Sequence, residues 1–376
     1  MKTLQNFFLS ISILGVISCD AQDHGPAIST PKILDYSYEI VADSIDIPWG
    51  LSMLSATDFL VTEKAGTLYH IVDGVKTIVK GLPPVYVRGQ GGLLDVAHSP
   101  DYNEDGLIYF TTSSPLGEEK GGHTALYSAQ LKKDSLINTS LLYKGDFNTK
   151  KGQHWGSRIA FDEKGHVFFS IGDRGNREVN PQDITRDGGK IYRLNRDGSI
   201  PSDNPFIDKE NSRKAIYSYG HRNPQGMITH PETGEIWVHE HGPRGGDEIN
   251  IIKPGKNYGW PVITYGINYS GTPITDQTKK EGMEQPLYYW LPSIAPSGMA
   301  FSSSDIYPKW KGNLFVGSLR FEYLERLELK NNTVVKREKV LDSIGRVRNI
   351  EQGPDGYLYL GVEGKGIVKI IAKSKT

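Results

Sequence analysis

Gly165-His166-Val167-Phe168-Phe169-Ser170 is a polar turn followed by a short apolar run, and it decides the fold because it recurs. The other copies are Asp58-Phe59-Leu60-Val61-Thr62-Glu63, Gly106-Leu107-Ile108-Tyr109-Phe110-Thr111, Gly234-Glu235-Ile236-Trp237-Val238-His239, Gly312-Asn313-Leu314-Phe315-Val316-Gly317 and Gly356-Tyr357-Leu358-Tyr359-Leu360-Gly361. Successive copies start 48, 59, 69, 78 and 44 residues apart. Several follow a Pro-Asp or Asp-Glu turn, as at Pro100-Asp101, Asp162-Glu163 and Pro354-Asp355. Turns of this kind before β-branched and aromatic runs are hairpin signals. No long stretch carries a helical period with caps.

Radial packing of such units gives a propeller, whose sheets leave only short edges. Six copies predict an all-β chain, a six-bladed β-propeller of four-stranded antiparallel blades over residues 36–374. A two-sheet sandwich array is the competing architecture. Each blade takes roughly 60 residues against the ~40–45 of the most compact propeller repeat, so the surplus lies in loops. The widest gaps surround residues 172–230 and 240–310, and long loops on a rigid scaffold are where function concentrates.

The composition agrees. Glycine supplies 42 of 376 residues, with 21 Pro and 20 Tyr, as turn-dense β structure requires. Basic residues number 43 and acidic 44, a net charge of −1 that argues against a nucleic-acid partner. One cysteine excludes a disulfide framework and a Cys-based zinc cluster. That cysteine, Cys19, closes an apolar run from Phe7 to Ile17, too short to span a bilayer comfortably. Val16-Ile17-Ser18-Cys19 resembles a bacterial lipoprotein signal, with residues 1–19 the signal and Cys19 the lipidated residue. Ordinary cleavage near Ala21 is the alternative. Either route exports the chain, and residues 20–35 read as a flexible tether.

Certain polar residues do not fit a strand pattern. In Gly89-Gln90-Gly91-Gly92-Leu93-Leu94-Asp95, glycines allow close backbone approach, to a ligand or within a tight inter-blade turn. Gln90 is then a hydrogen-bonding arm. His154 stands just before an apolar strand, and Asp173 ends that strand. A carboxylate beside an imidazole fixes its tautomer and raises its basicity, as a general base requires; a surface histidine and an Asp turn are the plain alternative. His221-Arg222-Asn223-Pro224-Gln225-Gly226 gathers a cation and amides at a proline-stiffened turn, suited to an anionic, carbonyl-rich ligand. Arg346 and Arg348 alternate, so a strand points both the same way. They repel unless an anion or carboxylate lies between them; a surface edge is the other reading. In His239-Glu240-His241-Gly242-Pro243-Arg244-Gly245-Gly246-Asp247-Glu248, a histidine pair permits zinc but no third ligand is spaced nearby. The Gly-Pro loop with acidic neighbours suits calcium better.

Together and in this order, these strings and Asn257-Tyr258-Gly259-Trp260-Pro261 resemble the soluble pyrroloquinoline quinone (PQQ)-dependent glucose and aldose sugar dehydrogenases. The likeness runs from Ile47-Pro48-Trp49-Gly50 to Ile370. It implies a six-bladed propeller that oxidises the anomeric hydroxyl of aldoses to lactones by hydride transfer to Ca²⁺-bound PQQ. By the same resemblance His154 is the general base, Asp173 orients it, and Arg222 and Asn223 bind the reactive quinone carbonyls, Arg222 stabilising the oxyanion. Gln90, Arg320, Arg346 and Arg348 contact PQQ, and Tyr269 is an aromatic beside it. Gly242 and Pro243 offer backbone carbonyls to the catalytic Ca²⁺, and Glu248 and Tyr258 are ligands of a second calcium. The string Ser318-Leu319-Arg320-Phe321-Glu322 matches less closely than the rest. The implied partners are an aldose and an external electron acceptor. No nucleic acid is involved, the chain is a monomer or homodimer, and any membrane contact is through an N-terminal lipid anchor. Two rival readings are a calcium-dependent lactonase, which needs carboxylate side chains around its metal, and a non-enzymatic carbohydrate-binding propeller.

Overall fold

The computed structural model describes residues 32–33 and 36–372. The segment read as a signal, Cys19 and most of the stretch read as tether lie outside the described residues.

Six sheets are present, five of four strands and one of five, all antiparallel apart from one short added strand. The blades span residues 48–79, 93–144, 159–219, 224–290 and 296–341, and the sixth combines 347–372 with the strand Tyr36–Ala42. Every repeated unit is the second strand of its blade: Asp58–Glu63, Leu107–Ser114, Val167–Ile171, Ile236–Glu240, Leu314–Ser318 and Leu358–Val362. Among the described residues the only helix is the single turn Tyr102–Asp105, and no helix is long and apolar enough to cross a membrane.

The apolar runs in these second strands follow from their place. Each is covered on both faces, because a neighbouring blade packs on either side. Ile108 and Phe110 belong to the apolar cluster between blades 1 and 2, while Tyr109 joins the cluster between blades 2 and 3. Val167, Phe169 and Ile171 face blade 2, and Phe168 faces blade 4. Each of the six blade-to-blade contacts has its own apolar cluster. With both faces buried, alternation between polar and apolar residues gives way to continuous hydrophobicity, as in two-sided sheets generally.

Two arrangements were not legible in the repeat. The ring closes by pairing Tyr36–Ala42 with Gly366–Ala372, so the first long strand becomes the outermost strand of the last blade. Lys32–Ile33, inside the stretch read as tether, pairs in parallel with Thr333–Leu341 of blade 5.

The innermost strands meet around a buried ion pair. Arg158 of blade 3 bonds Asp95 of blade 2 at 3.0 Å and donates to the carbonyls of Trp49, Gln225 and Arg348, from blades 1, 4 and 6. Its guanidinium also lies 4.0 Å from the Trp49 ring centroid. Five of the six innermost strands slip register near their starts: Pro48/Gly50, Leu93/Val96, Pro224/Gly226, Ser297/Met299 and Val347/Asn349. Such bulges re-aim side chains at the rims of closed sheets. Trp49, Gln225 and Arg348, at three of these bulges, line the largest cavity.

Candidate active site

A cavity of about 600 Å³ opens at the end of the channel where the innermost strands begin, lined by Trp49, Lys64, Gln90, Trp155, Pro243, Tyr269, Arg320, Arg346, Arg348 and Glu363, among others. A smaller one of about 180 Å³ adjoins it, lined by His154, Asp173, Arg177, Arg222, Pro243, Trp260, Asn268 and Tyr269. Pro243 and Tyr269 belong to both walls, so the two spaces share a boundary. Tyr269 stands 74% exposed at that boundary.

His154 lies in a loop stretch with φ of +56°. Its main-chain N–H donates to Gln90 Oε1 at 2.7 Å, and its Nδ1 lies 2.6 Å from Asp173 Oδ1. Asp173 is 1% exposed and also accepts from Gly175 N at 2.7 Å and Trp260 Nε1 at 2.9 Å. Burial alone would push this carboxyl up, but the bonds and charge from His154, with Arg222 and Trp260, outweigh it and hold it below its ordinary value. An ionised Asp173 keeps the proton on Nδ1 and leaves the Nε2 lone pair free. Burial and the Arg222 charge lower the His154 pKa despite Asp173, so the ring is neutral at neutral pH. The loop is braced from behind by Arg174, whose guanidinium donates to the carbonyls of Gln153 and Lys151 and stacks on Trp155.

Arg222 is positioned by backbone and base. Its N–H donates to Glu240 Oε2, whose partner oxygen holds His221 Nδ1 at 2.8 Å, and its Nη1 donates to His241 O at 3.0 Å. Asn223 lines neither cavity; 1% exposed, its Oδ1 accepts from Gly156 N at 3.2 Å and steadies the His154 loop. Gln90 does reach the cavity, but its carbonyl is committed to that loop. The glycines beside it serve the inter-blade turn. A Cβ on Gly92 would meet Lys64 O at 1.9 Å, and one on Gly91 would meet the Trp155 ring at 2.6 Å.

Arg346 and Arg348 do point the same way, and a carboxylate lies between them. It is Glu363, 2.7 Å from Arg346 Nε and bonded through both oxygens to the pair. Glu363 and Lys64 escaped sequence reading: neither sits in a distinctive string, although the repulsion of two adjacent arginines signals the need for a carboxylate. Four cationic side chains, Lys64, Arg320, Arg346 and Arg348, face one carboxylate, Glu363, a net +3 across the wall. His241 adds no charge, since burial holds it well below the usual histidine range.

Gly242 lines a void of about 10 Å³ together with Glu240, Glu248 and Tyr258, and Pro243, next in the chain, lines both cavities. Among the described residues, neither the Gly242 nor the Pro243 carbonyl accepts a hydrogen bond. Glu240 and Glu248 are direct cross-strand partners bridged by Asn250. Burial, then the charge of Glu240, raises the Glu248 pKa to about 8. Like charges directly opposite on paired strands destabilise, and a hard cation relieves them. Tyr258 enters this set only through its main chain, because its hydroxyl donates to Ile251 O at 2.7 Å and accepts from Lys253 N. His239 and His241 place Nε2 on the carbonyls of Gly298 and Pro296. Among the described residues no cluster of three His, Cys, Asp or Glu side chains could hold a metal.

The propeller thus carries a neutral imidazole held by a buried carboxylate next to a cationic cavity, and comparison with known proteins gives the family. Residues 45–369 match the family model described as glucose/sorbosone dehydrogenase. The aldose sugar dehydrogenase YliI of Escherichia coli is 40% identical over 330 residues, covering 86% of this chain and 88% of that one. The apo crystal structure of the soluble E. coli aldose sugar dehydrogenase superposes with a TM-score of 0.85 at 37% identity, covering 90% of this chain and all of the other. The PQQ-bound aldose sugar dehydrogenase of Streptomyces coelicolor gives 0.73 at 27% identity, covering 92% of this chain and 100% of that one. The chain belongs to the glucose/sorbosone dehydrogenase family, a family of oxidoreductases acting on sugars.

Proposed function

We propose that this is an exported PQQ- and Ca²⁺-dependent dehydrogenase that oxidises the anomeric hydroxyl of aldoses to lactones. The observation that carries the reading is the His154–Asp173 pair, 2.6 Å apart, in a sugar-sized pocket adjoining the +3 cavity. At about 600 Å³ the cavity suits a flat, tricyclic polyanion, and its cations match a tricarboxylate. PQQ, when bound, supplies the two-electron acceptor for the hydride leaving the anomeric carbon, and an external acceptor then takes those electrons. His154 Nε2 takes the hydroxyl proton as the lactone carbonyl forms, and Asp173 steadies the resulting imidazolium. Arg222, over Trp260 and tied to Glu240 and His241, brings a fixed positive charge to the same pocket. Arg320, Arg346 and Arg348 would hold the carboxylates, with Tyr269 beside the ring system. The Gly242 and Pro243 carbonyls would hold one Ca²⁺, and Glu248 with the Tyr258 main chain a second.

The direct test is to incubate purified apoprotein with Ca²⁺ and PQQ and assay a panel of aldoses with an artificial acceptor dye. Sugar-dependent dye reduction requiring both additions is expected; neither PQQ uptake nor dye reduction would sink the proposal. Calcium has a readout of its own. At about 100-fold over its dissociation constant, Ca²⁺ is expected to stabilise the apoprotein by about 2.7 kcal/mol, seen as a higher melting temperature that chelator reverses. Glu248→Gln, which removes one of two opposed carboxylates, should match or exceed the wild-type apoprotein in melting temperature yet gain less from Ca²⁺. An equal Ca²⁺ gain in both proteins would remove Glu248 from the ligand set.

A further inference from the structure

We propose that Lys64 is a ligand for one of the cofactor's carboxylates, an inference that rests on the PQQ reading above and extends it to blade 1. Lys64 sits in the turn between the second and third strands of blade 1, and its side chain lines the large cavity opposite no acid of its own. Its Nζ donates to Gly89 O at 3.0 Å, which leaves ammonium donors to spare. Among the described residues it forms no ion pair. Arg346 and Arg348 share Glu363, so Lys64 and Arg320 are the two cations in this wall without a carboxylate partner. Burial first, then the nearby Arg348, work against its charge and outweigh the support of Glu363 and Asp46. Four converging cations with a single acid between them leave a site short of negative charge, and a planar tricarboxylate meets that shortfall. Blades 1, 5 and 6 then hold the ligand through Lys64, Arg320 and the Arg346–Arg348 pair. The wall recognises charge as well as shape: it selects a quinone that bears carboxylates over one that does not.

Lys64 also supports the Gly89–Gln90 turn, and Gln90 holds the His154 loop, so the experiment separates ligand binding from loop support. Apoprotein is titrated with PQQ in the presence of Ca²⁺, following quenching of tryptophan fluorescence, since Trp49 and Trp155 line the cavity. Loss of one charge-assisted bond in Lys64→Met should raise the PQQ dissociation constant about 10–100-fold. It should also flatten the dependence of that constant on salt, because one screened attraction is gone. Lys64→Arg should recover most of the affinity, and binding of phenanthrenequinone, a quinone without carboxylates, should not change. A Lys64→Met dissociation constant within twofold of wild type, or a fall in turnover with PQQ affinity and salt dependence unchanged, overturns the proposal and leaves Lys64 a support for the loop. A wild-type apoprotein that takes up no PQQ at all would instead overturn the cofactor reading itself.

Discussion

Replacing His154 with alanine is expected to slow sugar oxidation on the order of 10²–10⁴-fold while PQQ affinity stays near that of the wild type. The split follows from position. His154 lines the smaller pocket and not the wall that carries Lys64, Arg320, Arg346 and Arg348, so removing the imidazole takes away a proton acceptor without touching a cation that grips carboxylates. Fluorescence titration measures the binding and single-turnover bleaching measures the chemistry. The pH profile should carry the same signature. Only neutral His154 accepts a proton, and its pKa is lowered, by burial first and then by Arg222. The wild-type rate should therefore rise with pH through a midpoint below the ordinary histidine value of 6.5 and stay level above it. Turnover unchanged in His154→Ala would remove this residue from the chemistry. A wild-type midpoint well above 6.5 would mean that the Asp173 charge, not burial, governs the ring.

Arg158→Met should be strongly destabilising, costing about 3–5 kcal/mol as expected when one partner of a buried ion pair is removed. The side chain is 3% exposed, and its loss takes the counter-charge from Asp95 and the guanidinium donors from the carbonyls of Trp49 and Gln225; Arg348 O keeps a second bond, from Ser297 Oγ at 2.8 Å. At about 2.1 cal/mol/K of unfolding entropy per residue, a domain of this size loses about 1.4 °C per kcal/mol, a fall in melting temperature of roughly 4–7 °C. Adding Asp95→Asn should recover only part of the loss. The amide removes the unpaired charge, but the carbonyls of Trp49 and Gln225 stay without their guanidinium donors, at about 1–3 kcal/mol each. Thermal unfolding of the two variants decides it: full recovery in the double variant would mean that the ion pair, rather than the carbonyl contacts across the channel, carries the role of Arg158.

The fold was legible because the second strand of every blade is covered on both sides. Burial of that kind writes itself as uninterrupted apolar residues, as in Val167-Phe168-Phe169, whose neighbours alternate between two different cores. The closing strand left no such trace. Tyr36–Ala42 is outermost, its middle residues Tyr38, Glu39 and Ile40 are exposed, and its partner lies at the other end of the chain. At the site, the residues left two readings of His154 and Asp173 open, a tautomer-fixing pair or a surface histidine and an Asp turn, and the 2.6 Å contact between them favours the pair. Glu363 could not be found, but the need for it could: Arg346 and Arg348 converge, and convergent guanidiniums require a counter-charge. Gln90 and Asn223 show the limit. Their residue types suit a ligand, yet each spends its carbonyl oxygen on the main chain of the loop carrying His154, and an amide's choice between ligand and backbone is made by geometry that no string of letters records.

The pairing of Tyr36–Ala42 with Gly366–Ala372 sets a timetable. A nascent chain can stack its first five sheets as they emerge, but the sixth stays one strand short until Tyr36–Ala42 comes back to meet Gly366–Ala372, more than 320 residues later in the chain. Contacts between distant segments form slowly because chain entropy is lost before they repay it. The circle therefore stays open until residues 366–372 are free to pair, and the two ends of the propeller lock each other.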